Sequence, residues 1–286
     1  MPKARVNGID VHYHVHGDGP PLVLAHGIVS STAMFDEQVG PFSQKYRTIV
    51  YDVRGHGESE APPADDPGYS FETFVEDLRA LLDHLGVEHA YVGGLSMGGM
   101  ISMRFALTYP ERVRALMLFD TAAEPAGSLR GEMGKWEERS EAIVERARSQ
   151  GVLATMAWLY SQRGNELLGV TVPKEPPEGV RKLIMGLATM SVDGFLGALR
   201  AAGEQTGVID RLPEITVPTM ILTGDGDFMR EPSLRMREKL PQSRFVMIKG
   251  AAHGTCFWQP EHFTQAMLDF LGDVKNGRPV AGEREY

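Results

Sequence analysis

Over the first 120 residues two hydrophobic periods alternate. The short apolar runs Pro21-Leu22-Val23-Leu24-Ala25 and Thr48-Ile49-Val50-Tyr51-Asp52 have the length and continuity of strands buried on both faces. So does Arg114 to Asp120, with Leu116, Met117, Leu118 and Phe119 at its centre. Between them Ser70 precedes a helical stripe of Phe71, Phe74, Val75, Leu78, Leu81, Leu82 and Leu85, which Gly86 closes. Near the start Arg5-Val6 and Ile9 to Val15 flank Asn7-Gly8, a pair suited to a two-residue hairpin turn. Strands alternating with helices predict an α/β domain: a mostly parallel central sheet with helices on both faces.

From about Thr121 to Leu212 the pattern changes and no strand is predicted. Four helical faces follow one another: Trp136, Ile143, Val144 and Ala147; Val152, Leu153, Met156, Leu159 and Tyr160; Val180, Leu183, Ile184 and Leu187; Val192, Phe195, Leu196 and Leu199. Pro173, Pro176 and Pro177 separate the second from the third. The strand pattern resumes at Pro218 to Thr223 and again at Arg244 to Ile248, with a polar helix near Pro232 to Leu240 between them. Pro260 opens a last helix with Phe263, Ala266, Met267, Phe270 and Leu271 on one face, and the polar tail from Asn276 is expected to fray. The organisation expected is a core domain of residues 1–120 and 213–286, with residues 121–212 inserted as a helical cap.

Composition narrows the function. In 286 residues, 42% hydrophobic and 23% charged content is that of a soluble globular chain, and a net charge of −9 argues against a nucleic-acid partner. The lone Cys256 cannot form an internal disulfide and suggests a reducing compartment. No apolar run reaches membrane-spanning length, and Met1 to Gly8 has no signal-peptide core, so a cytoplasmic location is expected.

The chemistry gathers at strand ends. Tyr91 to Met100 reads as a buried strand, a sharp turn and a helix start, with Ser96 at the turn between Gly94 and Gly98. That Gly-x-Ser-x-Gly spacing is a nucleophile elbow, which lifts a serine hydroxyl clear of both elements. Serine attack on a carbonyl needs a base, a group that orients the base, and donors for the oxyanion. His253, among small residues after the last strand, supplies a base; Asp225 and Asp227 both follow the preceding strand as its orienting acid, and spacing does not choose between them. The chain order is then Ser, Asp, His. His26 and His56 read as loop braces, and nothing around Cys256 prepares it as a nucleophile. His12, His14 and His16 share one strand face; a metal site and a solvent-facing edge both fit, and the edge is the reading adopted, with no metal and no cofactor.

Five segments together resemble the α/β-hydrolase fold superfamily, in its helically capped form, over roughly Ile9 to Leu271. They are His26-Gly27, Asp52-x-Arg54-Gly55-x-Gly57-x-Ser59, Gly94-Leu95-Ser96-Met97-Gly98-Gly99, Gly224-x-x-Asp227 and Gly250-x-x-His253. The resemblance implies Asp227 as the acid and the backbone N–H groups of Ile28 and Met97 as oxyanion donors. Ser at the elbow departs from haloalkane dehalogenases and epoxide hydrolases of this fold, which carry Asp there. Gly254 departs from the meta-cleavage C–C hydrolases, which carry Trp. The Leu-Ser-Met-Gly-Gly-Met run is similar to that of enol-lactonases and of cofactor-free haloperoxidase and esterase relatives. The expectation is a serine hydrolase of a small-molecule carboxylic ester or lactone, with Ser96, His253 and Asp227 as its triad and Val29, Trp158 and Phe228 lining the pocket. C–C hydrolysis of a vinylogous diketone, or ligand reception with hydrolysis vestigial, is the alternative.

Overall fold

In the computed structural model, residues 2–125, 128, 136–161, 166–167, 170–171, 178, 181, 186 and 189–286 are described. The apolar runs form strands β1 (Lys3–Val6), β2 (Ile9–His16), β3 (Pro21–Ala25), β4 (Arg47–Tyr51), β5 (Ala90–Leu95) and β6 (Val113–Phe119). A separate pair, β7 (Glu166–Leu167) and β8 (Val170–Thr171), precedes β9 (Thr219–Gly224), β10 (Arg244–Ile248) and β11 (Gly282–Glu285). Nine strands join one sheet in the order β1-β2-β4-β3-β5-β6-β9-β10-β11. The β1–β2 hairpin turns at Asn7 (φ 45°) and Gly8 (φ 83°), the positive pair its tight turn requires. β2 runs antiparallel to β4, and every later neighbour is parallel.

Period-two alternation sends each strand's side chains to two cores. Val23, Val92, Leu116, Leu118 and Ile221 pack on one face with helices α2 (Phe71–His84) and α3 (Met97–Thr108). Leu24, Leu95, Met117, Phe119 and Leu222 pack on the other, against α1 (Asp36–Ser43) and the Phe263, Met267 and Phe270 stripe of the C-terminal helix Pro260–Lys275. The Ser70 hydroxyl caps α2 by accepting the Thr73 N–H, and Gly86 turns away at φ 64°.

The loop after β4 is held by buried polar groups. Asp52 accepts the N–H groups of Thr32 and Glu58 and a bond from His12 Nδ1 at 2.7 Å. Arg54 grips Asp77 of α2 with two parallel bonds of 2.9 and 2.7 Å and donates a third to Asn7 O. His12 is therefore buried, and the solvent-facing reading of the His12, His14 and His16 strand side is corrected at that residue. The three rings do stand in a row, 4.7 and 5.8 Å apart, and His16 alone is exposed. Among the described residues no three His, Cys, Asp or Glu side chains are arranged to hold a metal.

Between β6 and β9 lie α4 (Trp136–Ser161), broken at Gly151 (φ 83°), and α5 (Val192–Glu204). Ile143, Ala147, Val152, Met156, Phe195 and Leu196 form a third apolar cluster there. The expectation of a strandless insertion needs one correction, because β7 and β8 pair antiparallel within it. Pro173, Pro176, Pro177 and the face of Val180, Leu183, Ile184 and Leu187 lie outside the described residues, as do the side chains of Trp136 and Tyr160.

The tail does not fray. β11 pairs parallel with β10, Tyr286 exchanges backbone bonds with Met247 and Lys249, and its hydroxyl reaches Asp269 at 2.7 Å. Among the described residues no helix is long and apolar enough to cross a membrane.

Candidate active site

The carboxyl ends of β5, β6, β9 and β10 meet at one end of the sheet, where an open parallel sheet leaves a crevice. Ser96 leaves β5 with φ 55° and ψ −114°, and its carbonyl already accepts the Met100 N–H of α3. A non-glycine residue held there stores strain of about 1–3 kcal/mol. The surroundings enforce it: the Ser96 N–H donates to Phe119 O, and the Thr121 hydroxyl donates to Ser96 O at 2.7 Å. Glycine is needed on either side because the chain doubles back on itself. A Cβ on Gly94 would stand 2.3 Å from the Gly98 carbonyl, and one on Gly98 would stand 2.0 Å from Ala25 O. Among the described residues the Ser96 hydroxyl itself makes no hydrogen bond.

His253 follows β10 and is only 6% exposed. Its Nδ1 faces Asp227 Oδ1 at 3.0 Å, which leaves Nε2 as the ring's other working edge. Asp227 follows β9; its Oδ1 also accepts the Met229 N–H at 2.9 Å, and its Oδ2 accepts the Thr223 hydroxyl at 3.2 Å. Burial favours the neutral acid, but the His253 ring, the Met229 N–H and neighbouring Asp120 outweigh it and hold Asp227 below the usual carboxylate range. Asp225 is exposed and accepts the Gly250 N–H at 2.9 Å, so it braces the loop and does not reach the imidazole.

Ile28 and Met97 are the oxyanion donors that the resemblance implies. Met97 heads α3, where an N–H has no acceptor within the helix. Ile28 follows His26-Gly27, and His26 fixes that loop from within: its Nδ1–H donates to Gly27 O and its Nε2 accepts the Val53 N–H. Burial pushes the His26 pKa down, which keeps the ring neutral for both roles. His56 is likewise a brace, donating from Nδ1 to Arg54 O, and is pushed down to about 3 by burial and by neighbouring His26. The Cys256 thiol is buried and pushed up by that burial, which makes it inert.

The three pocket candidates fall in two places. Val29, in the left-handed region at φ 58°, packs with Trp158 on the cluster built by α4 and α5. Arg146 lies over the Trp158 ring at 4.9 Å. Phe228 stacks on His253, ring centres 4.4 Å apart and tilted by 33°.

Asp120, at the end of β6, belongs to the same site and escaped the reading of the sequence. It is fully buried at φ 46°, and its Oδ2 accepts Gly254 N–H, Thr255 N–H and the Thr255 hydroxyl at 2.7–3.0 Å. The available signal was an acidic residue closing an apolar strand at the sheet end that carries the site.

Comparison with known proteins agrees with this architecture. The family described as the alpha/beta hydrolase fold matches residues 20–260. A 3-oxoadipate enol-lactonase 2 from Acinetobacter baylyi is 30% identical over 259 residues, 87% of this chain and 88% of its own length. A putative carbamate hydrolase RutD from Azorhizobium caulinodans is 28% identical over 278 residues, 96% and 99% of the two chains. The solved structure of a thermophilic esterase from Thermogutta terrifontis, with malate bound, gives a TM-score of 0.82 at 29% identity, covering 96% of this chain and 98% of that one.

Proposed function

The chain belongs to the α/β-hydrolase fold family, and on that premise we propose that it hydrolyses a carboxylic ester or lactone of a small molecule through Ser96, His253 and Asp227. One observation carries the reading: a strained serine with an uncommitted hydroxyl shares a sheet end with a histidine whose Nδ1 is bound to a buried carboxylate. The relatives support hydrolysis in general; the ester or lactone bond is the finer reading, taken from the enol-lactonase and the esterase.

The steps follow from the residues. Ser96 Oγ attacks the substrate carbonyl carbon while His253 Nε2 takes the hydroxyl proton. Asp227 keeps the imidazole in the Nδ1–H tautomer and stabilises the imidazolium that forms. The carbonyl oxygen, now negative, is held by the Ile28 and Met97 N–H groups, fixed donors that need no reorganisation. The tetrahedral adduct expels the alkoxide, which takes the proton back from His253; in a lactone it stays tethered to the acyl group. Water, deprotonated by His253, then attacks the acyl-enzyme and frees Ser96. None of these roles calls on a metal or an organic cofactor.

Residues 121–212 act in this reading as the cap. The support is the packing of Val29, beside the oxyanion loop, on the α4–α5 cluster, together with the Ala64 N–H to Asp193 and Arg200 to Asp66 O bonds that tie α5 over the loop after β4. Such a lid excludes water from the acylation step. With a single buried cysteine, the chain fits a reducing cytoplasm.

Turnover of p-nitrophenyl butyrate tests the activity, and Ser96→Ala tests the assignment. The variant should fold normally and lose on the order of 10⁴-fold or more in kcat, because triad members act as a unit. Binding of esters and lactones without any turnover would turn the reading toward a ligand receptor, and an unimpaired Ser96→Ala enzyme would remove the triad.

A further inference from the structure

Asp120 raises a question of hydrogen-bond accounting. Its Oδ2 is saturated by three donors from Gly254 and Thr255, while its Oδ1 is buried and receives no donor. A carboxylate oxygen left so would forfeit its hydration with nothing in return. The carboxyl lies close enough to that of Asp227 for each to shift the other's ionisation, and two neighbouring carboxyls can bond only where one holds a proton. Asp227 is already committed as an acceptor on both oxygens, to His253, Met229 and Thr223. The proton therefore belongs to Asp120.

We propose that Asp120 is a protonated positioning residue: its Oδ1–H donates to the Asp227 carboxylate, while its Oδ2 pins the turn that carries His253. It sets both ends of the His253–Asp227 bond from one rigid point, the end of β6. The groups facing it are Asp227 from the β9 loop and Gly254, Thr255 and Cys256 from the β10 loop. Burial, and then the charge on Asp227, push Asp120 well above the usual carboxylate range, in keeping with the geometry. The left-handed backbone at Asp120 marks the same constraint, since strain of this kind persists only where its surroundings over-determine it.

The inference rests on the assignment of Asp227 as the acid, and its test is separable from that reading. The wild-type minus Asp120→Asn infrared difference spectrum at neutral pH should contain the carbonyl stretch of a protonated carboxylic acid, with no turnover required. Kinetically, Asp120→Ala should lower kcat by about 10- to 100-fold with little change in KM, the range for removing a group that orients a catalytic one. Asp120→Asn keeps an N–H donor on one side and a carbonyl on the other, so it should recover most of that loss with the acid limb of the pH–rate profile unmoved. If Asp120 is instead ionised, the difference spectrum lacks the acid band, and Asp120→Asn removes a negative charge, moving the acid limb to lower pH; either result overturns the proposal. Should Asp120→Ala fail to fold, the band and the Asp120→Asn profile still decide. Survival of the band in a protein whose Ser96→Ala variant is unimpaired would sink the triad and leave this proton in place.

Discussion

Replacing Asp227 by Asn changes one charge and almost no shape, which makes its effect calculable. His253 Nδ1–H and Met229 N–H both require an acceptor at the Oδ1 position, so the amide oxygen settles there and the –NH₂ takes the place of Oδ2. The Thr223 hydroxyl can rotate to accept from it. The imidazole tautomer survives, and what disappears is the attraction between a carboxylate and the imidazolium of the transition state. With the bonded atoms 3.0 Å apart, the charge centres lie about 4 Å apart, and at an effective dielectric constant of about 20 their attraction is about 4 kcal/mol. At about 1.4 kcal/mol per decade, kcat should fall by about 10³. That is less than the roughly 10⁴ seen where an Asp-to-Asn change also inverts the tautomer. Asp120, relieved of its charged neighbour, can ionise beside the amide and return part of the loss; the double variant Asp120→Asn/Asp227→Asn closes that route and should fall below the single one. Asp225→Asn serves as control, because an amide oxygen can still accept the Gly250 N–H in water. The assay is kcat and kcat/KM on p-nitrophenyl butyrate, with a thermal melt to verify folding. An Asp227→Asn enzyme within about tenfold of wild type, or an Asp225→Asn enzyme more damaged than it, would refute the argument.

Three further outcomes follow from the same geometry. Arg54→Leu strands the buried Asp77 carboxylate, whose burial already raises its pKa despite the guanidinium, so urea unfolding should show a loss of about 3–5 kcal/mol; Arg54→Met/Asp77→Leu should lose far less, and an Arg54→Leu protein as stable as wild type would contradict the buried pair. Because Asp120 is raised in the fold, above the unfolded carboxylate value of about 3.9 the folded wild type holds a proton that the unfolded chain has released, so its stability falls with rising pH. Asp120→Asn lacks that linkage and should gain on wild type by about 1.4 kcal/mol per pH unit from about pH 4 toward neutrality, and a pH-independent difference would contradict the raised value. Finally, kcat/KM on an uncharged ester should fall tenfold per pH unit at the acid end, as one imidazole takes its proton; EDTA should leave the profile unchanged, and a rate flat between about pH 5 and 8 would remove His253 as the base.

Local pattern alone determined strands β1 to β6, β9 and β10, the helices at Phe71, Met97 and Pro260, the Asn7-Gly8 turn, and Ser96 at its elbow, but not the β7–β8 pair. Each records a condition met within a few residues: burial on two faces, a stripe at helical period, or a backbone conformation that tolerates only certain side chains. The choice of Asp227 over Asp225 lay beyond that range, since both follow the same glycine and only the approach of the β10 loop decides which carboxylate meets an imidazole 26 residues away. Asp120 was hidden for the same reason, its donors lying 134 and 135 residues further along the chain. His12 looked like an edge residue until Asp52, from the neighbouring strand's end, closed over it. β11 left no hydrophobic trace because its four side chains are all exposed; backbone hydrogen bonds hold it, and these are blind to side-chain type. Sequence periodicity reports how each element meets the core, whereas the pairing of polar groups from distant elements depends on the packed sheet, where burial makes an unmatched proton or charge too costly to leave.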